Sequence, residues 1–183
     1  MQNLTFEARL LAASRMARNA HVQFSLWSGL SSVDAHKAHR TVLNTYWEHL
    51  RFTKQAHLVA ALVELHSLYK KHKRTINMPD LLLDMRRSGL DVSKPQRMLD
   101  KVSDKIEKVE ILRNNALAHR TKSKEYNDVF ISADITPTEI RHLIDVGVES
   151  VSLALLIIGK HVPIISEEPA NSLDEMLTHL GRA

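Results

Sequence analysis

The sequence contains no cysteine among its 183 residues, and glycine and proline number only five each. The absence of cysteine excludes a disulfide framework and thiolate chemistry, and it is compatible with the reducing cytoplasm in which we expect the protein. Aromatic residues are also scarce, at 5% of the chain. Because so few turn-forming residues are spread over so long a chain, the composition predicts few turns and long helices.

Long hydrophobic runs are missing as well. The most apolar run, residues 151–159, is too short to span a bilayer, so we expect no membrane association. The first twenty residues carry Glu7, Arg9, Arg15 and Arg18 among their apolar positions, which argues against a signal peptide. With 44% hydrophobic and 25% charged residues, the chain has the composition of a soluble globular protein.

Apolar residues recur at spacings of three and four along most of the chain, which is typical of amphipathic helices. We expect a first helix over residues 4–27 and a second over residues 33–73, with Ser31 or Ser32 as the cap between them. A helix of forty residues exceeds the usual length, so we expect a kink near residues 51–55.

The middle of the chain predicts a short helix and a long one. The short helix covers residues 78–88 and ends with Gly89 at the C′ position. Ser93 and Gln96 have the spacing of a capping box, which predicts a helix from there to Arg120.

The last third begins with residues 121–135, which we interpret as a polar loop with one short extended piece. A second capping box, Thr136 to Glu139, opens a strongly apolar helix that runs to Gly159. Asn171 is the expected cap of a terminal helix over residues 173–180. Taken together, the pattern predicts one all-α domain, an antiparallel bundle of four or five main helices with short additional helices.

One stretch, Leu112 to Arg120, combines apolar periodicity with basic residues (LRNNALAHR). Arg113 falls in the middle of a predicted apolar stripe, where a lone guanidinium is costly unless it is paired, hydrated or bound to an anion. An arginine can also lay its stem on apolar surface, and a histidine near a helix C-terminus favourably meets the helix dipole. The spacing of Arg113 and His119 therefore leaves a structural and a functional interpretation open. The stripe consists of Leu99, Val102, Ile106, Val109, Ala116 and Leu117.

The phrase Arg113-Asn114-x4-His119 resembles the signature of the HEPN superfamily, and its ending, Ala118-His119-Arg120, is similar to the abortive-infection, AbiU-type branch. The resemblance implies a HEPN-like domain over residues 1–183 that dimerises and acts as a metal-independent endoribonuclease, in a toxin or in phage defence. It also implies that Arg113 binds the scissile phosphate, that His119 transfers protons, and that Asn114 orients the arginine or the phosphate.

The expected partners are RNA, a second copy of the chain and a cognate antitoxin. A net charge of +4 slightly favours a polyanion, and Arg120, Lys122 and Lys124 are candidates for holding flanking phosphates. Antitoxin-regulated HEPN toxins often carry a tyrosine two residues after the histidine. Thr121 occupies that position here, so regulation by nucleotidylation of that tyrosine is not expected.

Two further readings of the sequence concern metals and a non-catalytic role. Eleven histidines are present, and His36 and His39 could share a helix face, but no metal-ligand signature accompanies them, so we expect neither a metal nor a cofactor. The alternative function is a non-catalytic HEPN-like module for RNA binding or protein interaction. In that case Arg113 would form a buried ion pair with a carboxylate such as Asp145 or Glu149.

Overall fold

The computed structural model describes residues 4–72, 75–118, 126–162 and 168–182. Within these ranges the chain is helical throughout its regular structure and contains no strand, which confirms the all-α prediction. No helix in the same ranges is both long enough and apolar enough to cross a membrane. The helices are α1 (Phe6–Ser31), α2 (Val33–Ala38), α3 (Arg40–Thr45), α4 (Trp47–Tyr69), α5 (Met78–Arg87), α6 (Ser93–Asp100), α7 (Asp104–Ala118), α8 (Tyr126–Ala133), α9 (Pro137–Ile157) and α10 (Glu168–Leu180).

Helix α1 is the centre of the bundle and packs against α4 and α9, while α4 packs against α7 on its other side. Its neighbours run antiparallel to it, because early residues of one helix contact late residues of the next. Asn19 lies against Glu64 and Gln23 against His57, so α1 and α4 run in opposite directions. Helices α1 and α9 are also antiparallel, since Ser25 contacts Arg141 and Glu7 contacts Lys160. Helices α4 and α7 are antiparallel as well, since Gln55 contacts Ala116 and His66 contacts Arg113.

The buried face of α1 follows the predicted three- and four-residue spacing, and three of its positions are alanines. A second, smaller core joins Leu30, Val42, Leu43 and Leu177 where α1, α3 and α10 meet. The two cores together exclude water from most of the apolar side chains of the bundle. The buried residues of α1 are Leu10, Ala13, Ala17, Ala20, Phe24, Trp27 and Leu30.

The long second helix is broken at positions other than the predicted one. His39 and Tyr46 each leave the helical region of backbone space, with φ/ψ of −119°/27° and −104°/22°, and they separate α2, α3 and α4. Residues 51–55 instead lie within the uninterrupted helix α4, so the expected kink there was wrong. The breaks turn α3 so that its Val42 and Leu43 reach the second core, and this burial outweighs the helical continuity that local propensity favours.

The predicted capping box at Ser93 is also wrong. Ser93 is the first residue of α6, and both its N–H and its hydroxyl donate to the carboxylate of Asp91. The helix that was expected to run to Arg120 is interrupted after α6, and α7 begins only at Asp104. An aspartate two residues before the serine therefore takes the hydrogen bonds that the capping box would have used.

Of three further predicted features, the C′ glycine is confirmed, and the polar loop and the last helix cap are wrong. Helix α5 ends at Arg87, and Gly89 follows with φ of +80°, as a C′ glycine does. Part of the expected polar loop is instead helix α8, whose Val129 is buried. Asn171 lies inside α10 and does not cap it.

The capping box that opens α9 is confirmed. The Thr136 hydroxyl accepts from the N–H of Glu139 at 3.2 Å, and the Glu139 carboxylate accepts from the N–H of Thr136 at 2.9 Å. Lys105 of α7 donates to the other oxygen of the same carboxylate at 2.8 Å. This cap therefore fixes the start of α9 and ties it to α7.

Replacing the cap should measurably destabilise the fold. Thr136→Ala removes the hydroxyl that satisfies the Glu139 N–H, and we expect a loss of about 1 kcal/mol in the free energy of unfolding. Urea titration followed by circular dichroism measures it. Thr138→Ala is the matched control, since Thr138 is exposed in the same helical turn. Equal losses in the two variants would contradict the capping role.

Candidate functional site

The site is built on α7, whose inward face packs on α4 and α8. Val109 and Ala116 of the predicted stripe are buried, and so is Leu112, which the predicted stripe did not include. Arg113 lies at the edge of this stripe and is partly buried. Leu117, which was predicted to belong to the stripe, is 41% exposed. This edge position explains why α7 tolerates an arginine here. The aliphatic part of such a side chain can lie on apolar surface while its guanidinium reaches polar groups.

Two side chains hold the guanidinium of Arg113. Its Nη1 donates to Nδ1 of His66 at 2.7 Å, and its Nε and Nη2 donate to Oδ1 of Asn114 at 3.3 and 2.9 Å. A guanidinium has only donors, so Nδ1 of His66 must be the acceptor and the ring proton must be on Nε2. Neither partner carries a negative charge, so these contacts orient Arg113 without neutralising it.

A carboxylate lies near His66 but is engaged elsewhere. Oε2 of Glu110 is 3.7 Å from Nε2 of His66, which is too long for a hydrogen bond. The same oxygen accepts from Nζ of Lys70, and this bond is the main cause of a lowered pKa for Glu110. The Nε2 atom of His66 is inaccessible to solvent and has no hydrogen-bond partner in the described part of the chain.

His66 is held in its neutral form. Its side chain is 14% exposed, and this burial is the first cause that lowers the pKa of His66 below its ordinary value. The charge of Arg113 lowers the pKa further, and Lys70 adds to this, while Glu110 opposes them. With neutral His66, and with Glu110 balanced by Lys70, the charge of Arg113 is the net charge of the cluster.

The structure brings together two of the residues singled out by the sequence motif, Arg113 and Asn114. The other four, His119, Arg120, Lys122 and Lys124, lie outside the described residues, so their predicted roles stay predictions. Sequence reasoning missed His66, Lys70 and Glu110 as neighbours of Arg113. The only signal was that His66 and Lys70 are four residues apart and share a helix face, and nothing in the sequence says that this face meets α7.

The ion pair between Arg113 and α9 is not formed. Helix α7 packs on α4 and α8, and within the described ranges neither Asp145 nor Glu149 is an ion-pair partner of Arg113. Asp145 lies near Tyr69 instead, where its charge adds to the burial that raises the pKa of that phenol. The partners of Arg113 therefore come from α4 and from α7 itself, not from α9.

The histidines considered as metal ligands have separate partners. His36 contacts the backbone oxygen of Ser32 at 2.9 Å through Nδ1, and Nε2 of His39 lies 2.8 Å from the carboxylate of Asp174. Among the residues that the structure describes, no three histidine or acidic side chains cluster as metal ligands would.

An all-helical bundle with an arginine and a polar residue oriented near the end of α7 is the arrangement expected of a HEPN-like protein. The family model described as AbiU2, of the HEPN type, matches residues 5–182. The chain therefore belongs to this HEPN-like family, which confirms the resemblance seen in the motif, and it is a HEPN-related module associated with abortive infection. Comparisons with curated proteins and with solved structures give no match.

The neutral state of His66 predicts a pH-dependent stability. The unfolded chain takes up a proton on this histidine at higher pH than the folded one does, so the stability is fully present above the ordinary histidine pKa of about 6.5 and is lost as the pH falls below that value to the lower pKa of the folded state. In His66→Asn, the amide oxygen can replace Nδ1 as acceptor but cannot be protonated.

Thermal melts at about pH 7.5 and about pH 5.5 test this prediction. The melting temperature of the wild type should fall more than that of His66→Asn, while exposed His161→Asn should follow the wild type. Parallel falls in wild type and His66→Asn would remove His66 as the titrating group.

Proposed function

We propose that the protein is a metal-independent endoribonuclease of abortive infection, in which Arg113 binds the scissile phosphate and His119 transfers protons. The observation that carries the proposal is the guanidinium of Arg113, which is partly buried and oriented by two uncharged acceptors. Cleavage of RNA without a metal needs such a cation, because the attacking 2′-oxygen and the phosphorane build up negative charge.

The geometry of Arg113 suits a phosphate. A guanidinium has five N–H donors, and the contacts to His66 and Asn114 use three of them. In the described part of the chain this leaves one N–H on each Nη nitrogen. Two neighbouring N–H groups can bind two phosphate oxygens at once, which is the arrangement that arginine forms best.

The chemistry assigned to His119 is proton transfer. An imidazole can take the proton of the 2′-hydroxyl as that oxygen attacks phosphorus, and an imidazolium can protonate the 5′-oxygen that leaves. The products are a 2′,3′-cyclic phosphate and a 5′-hydroxyl. Following the HEPN resemblance, two copies of the chain would bring two such pairs into one cleft, with Arg120, Lys122 and Lys124 on the flanking phosphates.

Replacing the proposed proton carrier should abolish cleavage. We expect His119→Ala to lower the rate of cleavage of a single-stranded RNA by about 100-fold or more, the usual scale of general acid–base catalysis. The assay contains EDTA and scores 2′,3′-cyclic phosphate ends. His161→Ala, at an exposed histidine beyond α9, is the control and should cleave normally. Unchanged cleavage by His119→Ala would remove His119 from the mechanism, and RNA binding without cleavage by the wild type would favour the non-catalytic alternative.

A negative charge placed next to the guanidinium of Arg113 should also inactivate the protein. Asn114→Asp is nearly isosteric and turns an uncharged acceptor into a carboxylate that neutralises the guanidinium. We expect it to lower cleavage about 100-fold, on the scale of one lost transition-state donor.

The matched control for Asn114→Asp is Asn115→Asp. Asn115 is the next residue and contacts Ser132 of α8 at 2.9 Å, so the control changes the net charge equally without touching Arg113. It should retain most of the cleavage activity, and melting temperatures should show that both variants fold. A similar loss in both would mean that net charge, not the state of Arg113, matters.

A further inference from the structure

An ion pair lies one helical turn from the contact between Arg113 and His66. Nζ of Lys70 donates to Oε2 of Glu110, and the two side chains are 45% and 31% exposed. Lys70 follows His66 by four residues, in the cap position that ends α4. Glu110 precedes Arg113 by three residues on α7. Residues at these spacings share a helix face, so the ion pair and the contact of Arg113 lie side by side where the two helices pack.

Glu110 is placed to neutralise Arg113. Oppositely charged side chains three residues apart on a helix commonly form an ion pair. Here the ring of His66 lies between the two groups, because its Nδ1 accepts from Arg113 at 2.7 Å while its Nε2 is 3.7 Å from Oε2 of Glu110. A neutral imidazole carries no charge that would oppose such a pair.

The hydrogen bond from Lys70 holds the carboxylate elsewhere. It is the largest cause of the lowered pKa of Glu110, ahead of the charge of Arg113. The backbone N–H of Lys70 donates to the carbonyl oxygen of His66 at 2.9 Å, which fixes where the lysine side chain begins. Because α4 and α7 are antiparallel, Lys70 lies beyond His66 in the direction that leads from Arg113 toward Glu110. The ammonium therefore holds the carboxylate on the Nε2 side of the ring, away from the guanidinium at Nδ1.

We infer that Lys70 is a positioning residue of the Arg113 site, because by binding Glu110 it prevents that carboxylate from pairing with the guanidinium. Lys70 acts through Glu110 and does not itself contact the RNA. When Lys70 loses its charge, Glu110 turns toward Arg113, and the N–H groups proposed for the phosphate bind a carboxylate instead. The inference rests on the proposed function for its ligand, an RNA phosphate, and adds the residue that keeps the site cationic.

The affinity for an RNA that cannot be cleaved tests this role. The probe is a short, labelled oligomer of 2′-O-methyluridine, which has no free 2′-hydroxyl, and binding is measured by fluorescence anisotropy. We expect Lys70→Met to bind about tenfold more weakly than the wild type, the effect of losing one hydrogen bond to a charged group. Lys70→Arg should bind normally, since a guanidinium also binds a carboxylate. Lys70 is half exposed, so both variants should fold, which their melting temperatures check.

Removing the carboxylate as well should restore binding. In the double variant Lys70→Met/Glu110→Gln, a neutral amide replaces the carboxylate and cannot neutralise the guanidinium. We expect the affinities of this double variant and of Glu110→Gln alone to lie within about twofold of the wild type, the range in which independent effects add. Such a recovery is not additive, and it would show that Lys70 acts through Glu110.

The matched control is the ion pair of Lys108 with Asp134, in which Nζ of the lysine donates to the carboxylate at 2.6 Å. Lys108→Met and Asp134→Asn change the net charge as Lys70→Met and Glu110→Gln do, but on the side of α7 that faces α8. We expect each to change the affinity by less than about twofold, because salt screens a surface charge that is distant from the ligand. Equal losses in Lys70→Met and Lys108→Met would overturn the inference, since net charge would then explain both.

A crystal structure of Lys70→Met gives a readout that needs no RNA. We expect the carboxylate of Glu110 to lie within hydrogen-bond distance of the guanidinium of Arg113. A Glu110 side chain that stays beside Nε2 of His66 would overturn the inference. A double variant that binds the oligomer as weakly as Lys70→Met does would also overturn it.

Cleavage assays separate the role of Lys70 from the nuclease itself. Weak binding by Lys70→Met that the second substitution restores, in a protein that cleaves no RNA, would support the role of Lys70 and refute the nuclease. Cleavage by the wild type that Lys70→Met retains in full would do the reverse.

Discussion

The charge and geometry of the candidate site depend on how the guanidinium of Arg113 is held where α4 packs against α7. A buried cation is usually paired with a carboxylate, which satisfies its hydrogen bonds and cancels its charge together. Here His66 and Asn114 satisfy the hydrogen bonds alone. The nearby carboxylate, Glu110, is bound to Lys70. Because the hydrogen bonds are satisfied without a carboxylate, the guanidinium is oriented and partly buried, and its positive charge is available to an anion. An ordinary ion pair would cancel that charge.

The register between α4 and α7 determines which side chains of the two helices meet at the candidate site. Burial of Val109, Leu112 and Ala116 on one face of α7 fixes which residues of α4 it meets. That register sets Arg113 against His66 and, one turn later, the carbonyl of Ala116 against Gln55. It also carries the first turns of α4 past the last described residue of α7. One packing interface therefore fixes the position of the cation.

Two features that depend only on neighbouring residues were predicted correctly from the sequence. The Thr136–Glu139 cap and the C′ glycine Gly89 involve neighbours within one turn, and the motif around Arg113 was enough to indicate the family. The sequence could not indicate His66, because its partner is 47 residues away and the pair exists only after helices pack. The breaks at His39 and Tyr46 have no glycine or proline to mark them, and the helix between them buries Val42 and Leu43 in the second core. At Ser93 the local rule failed because Asp91 competes for the same hydrogen bonds.

The balance of charges around His66 explains why neutral acceptors suffice. A protonated His66 could not accept from Arg113 and would repel it, so the contact requires a low pKa, which burial and the arginine itself provide. Glu110 acts to raise the pKa of His66, but burial and the charges of Arg113 and Lys70 outweigh it, and Lys70 engages that carboxylate. Asn114 cannot be ionised and needs no such protection. The two acceptors thus reach the same uncharged state by different means, one by its chemistry and the other by its surroundings, so neither neutralises the guanidinium of Arg113.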